Sequence, residues 1–210
     1  MAYDLEEQEQ IAQIKAFWEK WGTLITGVVV AGAIAYFGWQ GYGWYQKRQV
    51  AQAEAAFASF NASVQKKDSD LAAKLAGLQG SFGKTNYASL ASLQMAAVLA
   101  TEGKYDQAQA PLQWVMEHGS AENQGAARLR LADIQMQLNQ KDAALKSLDT
   151  PVAQYASAFA AKKADIYMMS GDTAKAQEVL NAAIETAKKA QPVDLVTLES
   201  LQAKLKLLPH

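Results

Sequence analysis

The side chains that most often carry chemistry are few here and poorly placed for it. Only two histidines are present, His118 and His210, and neither has a second ligand-type residue at a metal-binding spacing. His118 precedes Gly119 at an expected helix end, where an imidazole interacts favourably with the C-terminal dipole. Cysteine is absent, which removes disulfides and thiolate zinc sites. Gly80 and Gly83 stand too close together for a phosphate-cradling loop. No serine occupies a nucleophile elbow. The carboxylates Asp133, Asp142, Asp165 and Asp172 are spread along expected helices and turns rather than paired. The pattern predicts a protein that binds and does not catalyse, with no cofactor and no metal.

The elements that would have to position a site point the same way. Lys and Arg number 20 against 21 Asp and Glu, for a net charge of -1. Nothing resembles the basic footprint that a nucleic-acid backbone requires. Half of the 210 residues are hydrophobic, alanine is abundant, and glycine and proline are sparse beyond residue 45. Alanine has the best intrinsic helix propensity and lets helices approach closely, so the expected fold class is all-α.

Residues 21–46 contain no charged side chain. The apolar stretch 24–41 would form a helix about 27 Å long at 1.5 Å per residue, close to the ~30 Å hydrocarbon core of a bilayer. Phe17, Trp18 and Trp21 flank it on one side, and Trp39, Tyr42, Trp44 and Tyr45 on the other, as interfacial belts do. Ala33-Ile34-Ala35 is compatible with signal-peptide cleavage. The long start with Asp4, Glu6, Glu7, Glu9 and Glu19 is not, because signal peptides begin short and positive. The expected organisation is an acidic tail over 1–20, a transmembrane helix over 21–46 and a helical domain over 47–210. Basic residues near the span are Lys15 and Lys20 on one side and Lys47 and Arg48 on the other, so charge leaves the orientation open. Gly27, Ala31 and Ala35, four apart, form a small-residue face on which another helix could pack.

Beyond the span, residues 48–67 and 70–78 read as two helices separated by Lys66-Lys67-Asp68-Ser69, and a loop is expected over 80–86. From Tyr87 the chain repeats itself. Small residues recur at Ala96, Ala132 and Ala164, turn residues at Gly103, Asn139 and Gly171, then Ala108, Ala144 and Ala176, then Leu112, Leu148 and Leu180. From Ala96 to Ala132 is 36 residues and from Ala132 to Ala164 is 32, and all four series share those steps. Their mean of about 34 is the tetratricopeptide period. Tyr105 stands where that pattern favours an aromatic, whereas Lys141 and Thr173 depart from it, and Pro111 is expected to kink its helix. Pro192 closes the array. Residues 193–208 predict a capping helix with Leu195, Leu198, Leu201 and Leu205 on one face, and residues 48–78 a degenerate first unit.

In such an array the first helices of successive units line a groove. The register places Leu93, Ala97 and Thr101, then Leu129, Asp133, Met136 and Gln137, then Asp165, Met168 and Met169 on that surface. Methionines suit an adaptable binding face. Asp133 and Asp165, at equivalent positions, would favour a basic or amide-rich partner segment.

Residues 129–138 and 141–150, with Thr85-Asn86-Tyr87-Ala88-Ser89-Leu90-Ala91-Ser92-Leu93 and Ser170-Gly171-Asp172, closely resemble the YfgM family, ancillary subunits of the bacterial SecYEG translocon. The layout of acidic tail, span and helical array is similar over the whole chain. The resemblance implies an inner-membrane protein with a cytoplasmic N-terminus and a periplasmic repeat domain. It also implies association with the SecYEG translocon and with a membrane-anchored, prolyl-isomerase-type periplasmic chaperone, and assistance to exported client proteins. No catalytic residues come with it. Two roles follow as expectations: a chaperone-like adaptor at the translocon, or a structural scaffold that organises or homo-oligomerises within an envelope complex.

Overall fold

The computed structural model describes residues 3–192 and 194–209, with side chains from residue 9 onward; His210 and Val193 lie outside the described residues. The chain divides into two compact units, Met1–Ala51 and Gln52–His210. The described residues form helices α1 (Tyr3–Lys66), α2 (Leu71–Phe82), α3 (Asn86–Thr101), α4 (Tyr105–His118) and α5 (Ala121–Gln137). They continue with α6 (Lys141–Ser147), a short 3₁₀ turn (Ala153–Tyr155), α7 (Ala156–Met169), α8 (Thr173–Lys189) and α9 (Leu195–Lys206). No strand occurs among the described residues. The all-α repeat architecture expected from the sequence is the architecture observed.

The first unit is helical from Tyr3 and carries most of the large apolar side chains that the fold leaves exposed. Val28, Ile34 and Phe37 are 65%, 69% and 70% exposed among the described residues. A helix that is apolar on all sides requires an apolar solvent, and this one is long and apolar enough to cross a membrane. Its flanks are built for the interface. Lys20 lies 5.8 Å from the Trp21 ring and Arg48 5.4 Å from the Trp44 ring, while Gln46 and Gln49 donate to the hydroxyls of Tyr42 and Tyr45. The sequence reading starts a new helix at Arg48. Instead α1 runs unbroken to Lys66, since no proline interrupts it and its glycines weaken a helix by only about 1 kcal/mol each.

The second unit stacks helix pairs. The turn inside each pair is a Schellman closure, in which the chain reverses through one residue of positive φ and two amides return to carbonyls of the last turn. Gly103, Asn139 and Gly171 have φ of 72°, 58° and 76°. The amides of Lys104, Gln140 and Asp172 reach the carbonyls of Leu99, Gln135 and Tyr167 at 2.8, 2.7 and 2.9 Å. The same closure occurs once earlier: Lys67 has φ 56°, and the Asp68 amide donates to Ser63 at 3.0 Å. Lys67 precedes Gly103 by 36 residues, so the end of α1 and α2 form a first unit in register with the rest.

Packing follows the repeated small residues. Ala96, Ala132, Ala164, Ala108, Ala144 and Ala176 are all 1% exposed or less, and Leu112, Leu148 and Leu180 are 2% or less. Phe60 occupies the equivalent place in the first unit and packs on Leu75, Leu78 and Ala91. The expected loop over 80–86 is shorter than predicted. Gly80 lies inside α2, and only residues 83–85 connect to α3. Gly83 is followed by Lys84-Thr85, a dipeptide phosphate loops employ, but here the Thr85 hydroxyl donates to the Phe82 carbonyl to close the turn. Helix α4 continues through Pro111. Helix α6 has 7 residues against 14 in α4 and 17 in α8, because Pro151 disfavours helix just before it. Arg128 donates to the Ser147 carbonyl at 3.1 Å and so satisfies one exposed end of that short helix. At the C-terminal end, Leu201 and Leu208 are buried with Leu198 and Leu205 against them, whereas Leu195 is 64% exposed.

Candidate functional site

The first helices of the units form a continuous layer: α3 lies against α5, α5 against α7, and α7 against α9, which takes a first helix's place beyond the last pair. Among the described residues the second helices α4, α6 and α8 do not approach one another in this way. This continuous layer, the inner layer, carries all ten residues that the register assigned to the groove.

The ten residues assigned to this surface divide by position within the repeat. Ala97, Thr101, Asp133, Gln137 and Met169 are exposed, and Asp165 is half-buried. Leu93 is 6% exposed and belongs to the core formed with Leu99, Leu112 and Leu131, so it offers no surface. Leu129, Met136 and Met168 are half-buried and pack against neighbouring core residues. The rows Ala97–Asp133–Asp165 and Thr101–Gln137–Met169 therefore face outward, while the rows through Leu93 and Met136 turn inward.

The two carboxylates are not free. Asp133 on α5 meets Lys162 on α7 at 2.7 Å, and Asp165 on α7 meets Lys204 on α9 at 2.7 Å. Each links one first helix to the next at repeat-equivalent positions, which makes them braces of the inner layer rather than unpaired anionic receptors. Sequence reasoning missed both cations. Lys162 follows Gln94 and Arg130 at the same steps of 36 and 32, a register that marks the row but not its partner, and Lys204 lies outside it. Away from this face, the Asp172 carboxylate is held below its ordinary range by hydrogen bonds from the Lys175 side chain and amide at the start of α8. Burial lowers the Arg128 guanidinium.

His118 is exposed, stacked on Trp114 at 4.7 Å, with its Nδ1 3.0 Å from the Trp114 carbonyl at the end of α4. Among the described residues no group of three or more metal-ligating side chains gathers. Beside the shortened α6, an apolar groove of about 360 Å³ opens between Leu148, Val152 and Phe159 on one side and Val179 and Ala183 on the other.

A sequence model of the tetratricopeptide repeat-like domain family matches residues 15–209. The chain is 34% identical to a Neisseria gonorrhoeae protein over 212 residues, covering 98% of each. It is 30% identical to a Haemophilus influenzae protein over 99% of this chain and 98% of that one. A third relative, from Escherichia coli, is 30% identical over 86% of this chain and 88% of its own length. Each of the three carries the name ancillary SecYEG translocon subunit.

Proposed function

The chain belongs to the family of ancillary SecYEG translocon subunits built on a tetratricopeptide repeat-like domain, and from that premise we propose that it is a non-enzymatic, membrane-anchored adaptor that holds partners on its inner layer. The observation that carries this reading is the pair of outward-facing rows, Ala97–Asp133–Asp165 and Thr101–Gln137–Met169, on helices that lie against one another. A surface of short, polar and methionine side chains on rigid helices suits recognition of extended or helical segments and contains nothing that would transform them.

In this reading residues 21–46 span the inner membrane, residues 1–20 stay in the cytoplasm and residues 47–210 lie in the periplasm. The partners are the SecYEG translocon, a membrane-anchored prolyl-isomerase-type chaperone and exported clients. The absence of cysteine makes the orientation directly testable. A single cysteine at the exposed position Gln107 should react with a membrane-impermeant thiol reagent in cells whose outer membrane alone is permeabilised, and one at Lys15 should not. The opposite pattern would reverse the topology.

The partner surface is tested by placing a photocrosslinkable residue at Ala97, Gln137 and Met169 in the full chain in native membranes. Adducts with translocon subunits are expected from all three positions and not from Lys188 on the outer layer. Adducts with the same chain only would favour a self-associating scaffold. Strong adducts at Thr186 with none at the inner positions would move the interface to the groove beside α6.

A further inference from the structure

The braces of the inner layer form an alternating series of charges, and the series is incomplete at one end. Along α5, α7 and α9 the order is Arg130, Asp133, Lys162, Asp165, Lys204. Asp133 is joined to Lys162, and Asp165 to Lys204, in each case by reaching forward to the next first helix. The repeat register places Ala97 on α3 at the position equivalent to Asp133 and Asp165, and Arg130 at the position equivalent to Lys162. Arg130 thus stands where a cation should be met by a carboxylate from the preceding helix, and the preceding helix supplies a methyl group. Among the described residues no ion pair or side-chain hydrogen bond engages its guanidinium, and the residue is exposed. The rest of the outward face of α3 is uncharged: Leu90, Ala97 and Thr101 are exposed, with Gln94 half-buried between them.

We propose, resting on the inner-layer reading above, that the partner completes this series: an acidic side chain of a protein segment, flanked by apolar residues, pairs with Arg130 across Ala97. The guanidinium fork donates two parallel hydrogen bonds to a carboxylate, so it selects a planar anion over a neutral amide. Ala97 leaves the room that an aspartate would fill, and Leu90, about two helical turns earlier on α3, is an exposed apolar side chain. The two completed pairs further along the layer leave Arg130 as the one member of this series without a counter-charge among the described residues. This assigns an acidic partner segment to the α3–α5 end, not the basic one that unpaired Asp133 and Asp165 would have called for.

The experiment measures recovery of identified translocon subunits with the full chain from membranes dissolved in mild detergent. Helicity and membrane level are matched for every variant. Arg130→Gln should lower recovery about five-fold and Arg130→Glu about ten-fold or more, the size expected when one solvent-accessible pair is removed and then made repulsive. Ala97→Asp, which supplies the missing carboxylate from within the chain, should lower recovery as Arg130→Gln does, while Ala97→Asn, equal in size and uncharged, should lower it less. Wild-type recovery should fall with added salt, and that of Arg130→Gln should fall less. Recovery by Arg130→Glu equal to wild type overturns the assignment, as does equal loss from Ala97→Asp and Ala97→Asn, which would indicate steric obstruction. Ala97→Trp separates the two levels of inference by blocking the face without altering charge. If it lowers recovery and Arg130→Glu does not, the inner layer is the interface and the role of Arg130 is refuted. If neither lowers recovery, the inner-layer reading fails with it.

Discussion

In residues 24–41, alanines and glycines alternate with valine, leucine and isoleucine on every side of the helix, and nearly all of them remain exposed. In the last three units of the repeat domain alanine recurs at two positions each, and every one of those alanines is sealed. The residue types overlap and the outcomes are opposite, so composition decides neither. What differs is the polar complement. The repeats intersperse lysine, glutamine and aspartate at helical spacing, which gives each helix one face for water and one for its neighbours. Residues 21–46 have no such face, and the charged side chains nearest to them sit at the two ends.

The largest expected effect tests the span. Ile34→Lys places a charge at its centre, at a cost of about 2.5–3.5 kcal/mol for insertion. The protein should then be released by alkaline carbonate, while the helical circular dichroism of the repeats is unchanged. Full retention would mean that residues 21–46 are not the anchor.

A second test sets equivalent substitutions against each other. Ala132→Leu forces extra methylenes between sealed helices, typically costing about 1–3 kcal/mol, whereas Ala31→Leu adds apolar surface at an exposed position. The first should lower the melting temperature by roughly 2–4 °C per kcal/mol. The second should leave both melting and membrane retention intact. Gly125→Ala belongs with the first, because a Cβ there would stand 2.1 Å from the Tyr155 ring. If Ala31→Leu proves as disruptive as Ala132→Leu, the span is packed against a partner helix and the contrast is wrong.

A smaller effect of opposite sign is expected at Lys67. An L-residue in the left-handed region costs about 1–2 kcal/mol, and glycine recovers that less roughly 0.4–1 kcal/mol of added unfolded-state entropy. Lys67→Gly should therefore raise the melting temperature of the repeat domain slightly. A decrease would show that the lysine side chain contributes something the turn geometry does not reveal.

The smallest effect is pH-dependent. The Asp172 carboxylate is depressed in the folded state, so its contribution is present above the unfolded value of about pH 4 and is lost as the pH falls through the lower folded value. The melting temperature of wild type should exceed that of Asp172→Asn at neutral pH, and the difference should close below about pH 4. A constant difference across that range would assign the effect to helix capping by the amide instead.

The fold was legible wherever a residue type carries a conformational requirement. Gly103, Asn139 and Gly171 announce positive φ, and the buried alanines announce close approach. The fourth turn escaped because lysine gives no such notice, although Lys67 stands one step of 36 before Gly103. The unbroken α1 escaped for a related reason: a change from lipid-facing to water-facing composition is not a change of backbone conformation. The surface was legible only in part. A repeat register makes positions equivalent without fixing which way they point, so Leu93 and Met168 were grouped with Ala97 and Met169 although they turn toward the core. Nor can spacing reveal partners on other helices, which is how Lys162 and Lys204 came to neutralise the two aspartates.

The shortness of α6 has a consequence for how the array opens. Stability in a stacked array is close to a sum of unit and neighbour terms, so the weakest member sets where cooperativity breaks. Two turns of helix are far too few to persist in isolation, and α6 persists only through Ala144, Ser147 and Leu148 on its neighbours. Its amides should therefore exchange with solvent deuterium sooner than those of α4 or α8. Opening at that point leaves two shorter stacks on either side, each keeping its own core, so the domain has a seam in its middle rather than frayed ends alone.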